Sequence, residues 1–92
     1  MTTLRSAAYQ AHPACIAYEQ AKDAVNRRWI DRTDRSALAE QRLRAEIEAE
    51  LSRLETERDT ALSAEGLMVH EFWGEGIGND YFVELVSVEK VG

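Results

Sequence analysis

The chain has 92 residues, of which 45% are hydrophobic and 30% charged, and its formal net charge is -6. A chain of this length buries only about 60 to 65% of its unfolded surface, so residues 1–92 are predicted to form a single domain with one modest core. The acidity disfavours direct binding to nucleic acid, since counterion release requires clustered basic side chains. It favours a basic partner surface instead.

Cys15 is the single cysteine, so it can close no disulfide within the chain. The first residues lack the apolar run of a secretory signal. No stretch of the sequence approaches the roughly 18 consecutive apolar residues that a membrane span requires. We therefore expect a cytoplasmic protein that does not associate with membranes.

The N-terminal part, residues 1–12, is predicted to be an arm or a short helix. A helix over residues 3–11 would be capped by Thr2 or Thr3. His12 precedes the only proline of the chain, and a residue before proline prefers extended geometry. We therefore expect the backbone to bend at His12.

A second helix is predicted over residues 13–31, because proline is tolerated in the first helical turn. Residues 31–36 contain no apolar side chain and offer Ser36 as an N-cap, which predicts a tight turn and an antiparallel helical hairpin. One kinked helix over residues 13–65 is the alternative, because the turn contains neither glycine nor proline. The predicted buried face of the second helix consists of Ala14, Tyr18, Ala21, Val25 and Trp29.

The strongest pattern predicts one long helix over residues 36–65, with a single apolar stripe and charged side chains on most of the remainder. Arg58 interrupts the stripe, and we expect its aliphatic stem to lie along it with the guanidinium reaching solvent or a carboxylate. Gly66 is predicted to end the helix, with Leu67 packing back onto Leu62. The stripe consists of Leu43, Ile47, Leu51, Leu54, Ala61 and Leu62.

Two segments rich in β-branched and aromatic residues follow, at residues 67–73 and 81–91. The glycine-rich connector over residues 74–80 suits a hairpin loop longer than two residues. The predicted fold is therefore α+β: an antiparallel αα-hairpin with a long second helix, followed by a C-terminal β-hairpin over residues 67–91.

The second strand has apolar side chains on both of its faces, with Tyr81 and Val83 on one and Phe82 and Val86 on the other. So small a protein has little to cover both faces, so one face is predicted to meet a second chain or another protein. We expect a homodimer on the same grounds, since the long apolar stripe also lacks sufficient cover within one chain.

Two motifs invite a chemical interpretation. Gly74-x-Gly76-x-Gly78 resembles a phosphate-binding loop, but such loops precede a helix and here a strand follows. His12 and Cys15 have the spacing of two metal ligands, but no second matched pair completes a zinc site. We therefore predict no enzyme activity, cofactor or metal, and interpret Cys15 as a half-buried helical residue.

The remaining candidates are contact residues. Glu48, Glu55 and Asp59 belong to an acidic excess on the long helix, although interleaved acidic and basic residues also fit an ordinary solvated face. Trp73 and Tyr81 flank the glycine loop, and aromatic side chains often anchor interfaces. Ile77 is predicted to project from that loop. The predicted protein-binding residues are Glu48, Glu55, Asp59, Trp73, Ile77 and Tyr81.

In length, acidity, single-domain architecture and lack of catalytic motifs, the chain resembles phage-encoded anti-defence proteins, including anti-CRISPR proteins. The resemblance lies in general character across the whole chain. It implies an inhibitor or adaptor that docks on a basic nucleic-acid-handling complex in the host cytoplasm, by steric block or by nucleic-acid mimicry.

Two other functions are compatible with the sequence. Apolar stripes that pair with copies of the same chain would suit a self-assembling structural or chaperone-like subunit. A pocket between Trp29, Trp73 and Tyr81 would suit a small-ligand-binding regulator.

Overall fold

The computed structural model describes residues 2–74 and 80–88. In chain order they form β1 (Thr3–Arg5), α1 (Ala7–Ala11), α2 (Pro13–Ile30), α3 (Ala37–Ala64), β2 (Leu67–Trp73) and β3 (Tyr81–Ser87). The predicted α+β class is confirmed, with helices preceding a C-terminal pair of strands. Most of the predicted glycine loop, including Ile77, lies outside the described residues.

The N-terminal segment differs from the prediction. The expected helix from residue 3, capped by Thr2 or Thr3, is wrong, because residues 3–5 form a strand and α1 starts only after Ser6. The Ser6 hydroxyl caps α1 by accepting the N–H of Tyr9 at 3.2 Å. So short a helix is marginal on its own. Long-range pairing with β3 therefore determines the conformation of this segment.

The strands form one mixed sheet with the order β1-β3-β2, in which β1 is parallel and β2 antiparallel to β3. The predicted C-terminal pair of strands is confirmed, but it does not form a simple β-hairpin, because the N-terminal strand adds to its second strand in a three-stranded sheet. That strand was predicted to reach residue 91, but β3 ends at Ser87, and residues 89–91 lie outside the described ranges. The central position of β3 gives it a neighbouring strand on each edge but covers neither face: Val83 packs in the core, and Phe82 and Val86 lie on the opposite face.

The helices α2 and α3 pack side by side in antiparallel orientation. Arg28 on α2 bonds Glu46 on α3 at 2.9 Å, and Arg32 in the turn lies 3.3 Å from Glu40. The Ser36 hydroxyl accepts the N–H of Ala39 at 3.3 Å and so caps α3. The predicted alternative of one continuous helix is therefore wrong. Among the described residues, no helix is both long enough and apolar enough to cross a membrane.

The core lies where the helices meet β3. Tyr9, Cys15, Leu62 and Val83 are its buried members, contributed by α1, α2, α3 and β3. Cys15 is completely buried, whereas the sequence predicted a half-buried residue. The other buried members of the core lie in three other elements, α1, α3 and β3, which a helical wheel of α2 alone does not show. Leu67, Val69, Leu85, Ala14 and Tyr81 pack around this core.

The long helix ends as predicted, at a glycine with a left-handed backbone. Gly66 has φ of 72°, and its N–H donates to the carbonyl of Ser63 at 3.0 Å. The N–H of Glu65 donates to the carbonyl of Leu62 at 2.9 Å. These bonds satisfy carbonyls that the helix end leaves without partners, and they direct the chain into β2.

We expect Gly66→Ala to lower the free energy of unfolding by about 1 kcal/mol, because a side chain at positive φ is strained. A Cβ at this position meets no atom within 4 Å, so the loss reports backbone strain alone. Gly66→Asn should lose less, since asparagine tolerates this region better. Urea denaturation measures both variants, and an alanine variant as stable as the parent would contradict the assignment.

Candidate functional site

Arg58 is the buried charge around which the site is built. Only 7% of this residue is exposed, and its guanidinium bonds a carboxylate, which is one of the two outcomes predicted, rather than reaching solvent. Its Nε donates to Asp59 at 3.0 Å, its Nη1 donates to the Tyr9 hydroxyl at 3.4 Å, and its guanidinium lies 4.3 Å from the centre of the Tyr18 ring. Burial by itself would lower the pKa of Arg58, but the bonds to Asp59 and Tyr9 outweigh it and raise the pKa.

The Tyr9 hydroxyl extends this contact into a network. It donates to the Glu19 carboxylate at 2.9 Å, and that carboxylate also accepts from Arg5 Nε at 3.1 Å. Burial, reinforced by the bond to Glu19, raises the pKa of Tyr9 well above its ordinary value of 10.0. The Arg5–Glu19–Tyr9–Arg58 network therefore links β1, α2, α1 and α3.

Beside this network lies a surface groove of about 320 Å³ between α3 and β2, called here the α3–β2 groove. Three carboxylates line it, those of Glu55, Asp59 and Glu71, together with the Arg58 guanidinium. Its charge is therefore locally negative, and its apolar part comes from β2 and from Val88. The full lining is Glu55, Arg58, Asp59, Ser63, Leu67, Met68, Val69, Glu71 and Val88.

The backbone of β2 forms one wall of this groove. Gly74 N–H donates to Asp80 and Val88 N–H donates to Gly66, both at 2.8 Å. Antiparallel hydrogen bonds alternate along a strand, so the even-numbered residues of β2 are bonded to β3. The odd-numbered residues direct their N–H and C=O groups away from β3, where residues 2–74 and 80–88 place no further strand. These residues are Leu67, Val69, Glu71 and Trp73.

The predicted acidic residues Glu48, Glu55 and Asp59 are exposed and lie at i, i+7 and i+11, on one side of α3. This surface is called here the acidic side of α3. Glu55 and Asp59 line the α3–β2 groove, whereas Glu48 lies two turns before Glu55, along the same side. The structure thus brings two of the three residues next to the strand edge.

The predicted aromatic residues form a pair on the sheet. The rings of Trp73 and Tyr81 are 5.0 Å apart at 59°, and the Tyr81 hydroxyl donates to Glu71 at 2.8 Å. That bond raises the pKa of Tyr81. Glu71 also lines the α3–β2 groove, so it connects the acidic and the aromatic predicted residues. Trp29, by contrast, packs on Arg32 and Arg44, apart from this pair.

His12 and Cys15, for whose spacing the sequence predicts no metal site, have separate structural roles. Cys15 is in the core, where burial raises the pKa of its thiol. His12 caps α2, because its Nδ1 accepts the N–H of Ala14 at 3.1 Å, and its Nε2 lies 2.7 Å from Glu65. In the described part of the chain, no cluster of three or more His, Cys, Asp or Glu residues is arranged to hold a metal.

Sequence reasoning missed Tyr9, Glu19 and Glu71. The interruption of an apolar stripe by Arg58 was the available signal that a buried charge needed partners. Nothing in the local pattern located those partners, because Tyr9 is 49 residues away in sequence from Arg58.

Comparisons with protein-family models, curated proteins and solved structures found no significant match.

We expect Tyr9→Phe to lower the free energy of unfolding by about 1 to 3 kcal/mol, since it leaves the buried guanidinium without one hydrogen-bond partner. Tyr81→Phe is the control, because its hydroxyl bonds an exposed carboxylate at the surface, and it should change stability much less. Urea denaturation at neutral pH measures the difference.

The parent protein and the Tyr9→Phe variant also allow a test by pH. The raised pKa of Tyr9 means that its contribution is complete below pH 10 and is lost as the pH rises further, because the unfolded state ionises first. The stability difference between the parent and Tyr9→Phe should therefore shrink above pH 10. A constant difference would show that the hydroxyl is not buried in this network.

Proposed function

We propose that the protein works by binding another protein through the acidic side of α3, as an inhibitor or adaptor rather than as an enzyme. The observation that carries the proposal is the position of Glu55 and Asp59, on one side of α3 and beside the outward-facing backbone of β2. Side chains and backbone groups that face the same groove can engage one partner together.

The sign of the charge selects a basic partner. The net charge of -6 steers association with a positively charged surface and disfavours an acidic one. A nucleic-acid-handling complex of the CRISPR type has such a surface, in the channel that holds its heteroduplex. The proposed activity is therefore the blocking of a basic, nucleic-acid-binding surface in the host cytoplasm.

The spacing of the carboxylates favours steric occlusion over detailed mimicry. Along α3, Glu48 and Glu55 are about 10 Å apart and Glu55 and Asp59 about 6 Å apart, at 1.5 Å per residue. Duplex DNA carries one negative charge per about 1.7 Å of helix axis. The acidic side of α3 is therefore far sparser in charge than a duplex, and it suits steering and partial neutralisation of a basic surface.

We expect Glu48→Lys/Glu55→Lys to reduce partner capture from a bacterial lysate at least tenfold, because it reverses charge on the acidic side of α3. Mass spectrometry identifies the captured proteins and quantifies them. The matched control is Glu46→Lys/Glu57→Lys, which makes the same charge change on the opposite side of α3 and breaks only surface ion pairs. An equal loss of partner capture in both variants would contradict the assignment of the binding surface to the acidic side of α3.

Self-association is a second candidate function, because the sheet face turned away from the helices carries several exposed apolar side chains, on either side of a His70–Glu84 pair at 3.1 Å. Leu4 and Phe72 are each in register with Phe82, and Met68 is in register with Val86. The exposed fractions are 42% for Leu4, 48% for Met68 and 36% for Phe72. This outer face of the sheet suits a homodimer or a structural, chaperone-like assembly.

The total surface supports the same candidate. The accessible area is 6856 Å², whereas a folded chain of 10.4 kDa typically exposes about 5,400 Å². The excess of about 1,500 Å² exceeds the roughly 800 Å² that each partner buries in a standard interface. The radius of gyration of 16.1 Å likewise exceeds the roughly 12 Å typical of this length.

If the outer face of the sheet mediates a dimer, Met68→Ser/Phe72→Ser should make the protein monomeric in sedimentation equilibrium, since it removes apolar area from that face. Ile30→Ser/Leu38→Ser is the control, because these side chains are 69% and 59% exposed at the other end of the molecule. A parent protein that stays monomeric at millimolar concentration would rule out this candidate.

A further inference from the structure

We propose that the α3–β2 groove binds an extended segment of the partner protein, in which basic and apolar residues alternate, and that this segment adds to β2 as a fourth strand. The inference rests on the proposed protein-binding function and specifies the chemistry of the partner. Strand addition to an exposed sheet edge is a recurrent mode of peptide recognition.

The backbone of β2 presents hydrogen-bonding groups at its edge away from β3. Leu67, Val69, Glu71 and Trp73 direct their N–H and C=O groups away from β3, as the flanking bonds of Gly66 and Gly74 establish. Strand edges in natural proteins are usually blunted by proline, by charged side chains or by a bulge. The sequence of β2 contains neither proline nor lysine, and it pairs with β3 residue for residue over its whole length. Its acidic residue, Glu71, blunts the edge against an acidic strand but not against a basic one. This edge is therefore suited to accept another strand.

The side chains that border the edge of β2 carry a net negative charge. Glu55 and Asp59 on α3 and Glu71 on β2 border the edge, and the Arg58 guanidinium offsets one of these three carboxylates. The remaining negative charge suits lysine or arginine side chains on the helix-facing side of an incoming strand. Because side chains alternate along a strand, its other residues would lie beside Met68 and Phe72 on the outer face of the sheet. The matching segment thus alternates basic and apolar residues.

The groove could be occupied by a second copy of this chain or by a basic segment of another protein. If two β2 strands paired in antiparallel orientation around a two-fold axis, the acidic side of α3 in one protomer would lie beside the acidic side of α3 in its partner. Glu55 and Asp59 of both protomers would then face carboxylates across the interface. Like charges placed opposite one another are unfavourable, whereas a basic segment neutralises them. The charge of the groove therefore favours the basic segment as its occupant.

The test uses the whole protein and a synthetic ten-residue peptide of alternating arginine and valine with blocked ends. We expect the peptide to bind, and to slow hydrogen exchange at the amides of Leu67, Val69 and Glu71 at least tenfold. A second peptide carries N-methyl groups on alternate amides, which keeps its charge but removes the donors that a fourth strand needs. We expect it to bind at least tenfold more weakly.

A pair of variants tests the contribution of charge. Glu55→Lys should weaken binding of the unmodified peptide at least tenfold, because Glu55 lines the α3–β2 groove. Glu57→Lys should leave binding unchanged, because Glu57 lies on the other side of α3, beside Ala17 and Ala21 of α2. Equal effects of the two variants would overturn the placement of the segment in this groove.

The outcomes separate this inference from the proposed function. Equal binding of both peptides without protection of β2 would overturn strand addition, while leaving the acidic side of α3 as the surface for a basic partner. No binding of either peptide would overturn the inference as well. Protection of the β2 amides that increases with protein concentration in the absence of peptide would assign the edge to a second copy and overturn the basic segment.

Discussion

The buried contact between Arg58 and the Tyr9 hydroxyl is the interaction on which the arrangement of this protein depends. A guanidinium that is 7% exposed requires partners, since an unpaired buried charge costs several kcal/mol. Those partners are Tyr9 and Asp59, and Tyr9 in turn bonds Glu19, which bonds Arg5. The resulting network holds the N-terminal segment against the long helix.

The position of the N-terminal segment determines which strand edge is exposed. Ser6 N–H donates to Val83 and Tyr81 N–H donates to Thr2, both at 2.9 Å, so β1 occupies one side of β3. β2 occupies the other side and becomes an edge strand that lies beside α3. The buried network and the open edge are therefore connected through β3. This connection explains how a small core can hold an acidic helix and an unpaired strand edge in one fixed relation.

Two surfaces are proposed to bind, and they differ in character. The α3–β2 groove combines negative charge with backbone hydrogen-bonding groups, which suits a basic extended segment. The outer face of the sheet is largely apolar apart from the His70–Glu84 pair, which suits a copy of the same chain. The two surfaces share Met68, which lines the groove and is 48% exposed on the outer face. A dimer formed through the sheet face would therefore lie against one border of the groove.

Local sequence was sufficient where a structure depends on near neighbours. The apolar stripe of α3, the Ser36 cap and the Gly66 terminus define that helix within a few residues, because helical bonds and caps span three or four positions. Three features depended on tertiary structure: the strand over residues 3–5, the burial of Arg58 and the open edge of β2. Each of these arises from pairing between residues far apart in the chain, such as Tyr9 with Arg58, and no local periodicity encodes such pairing.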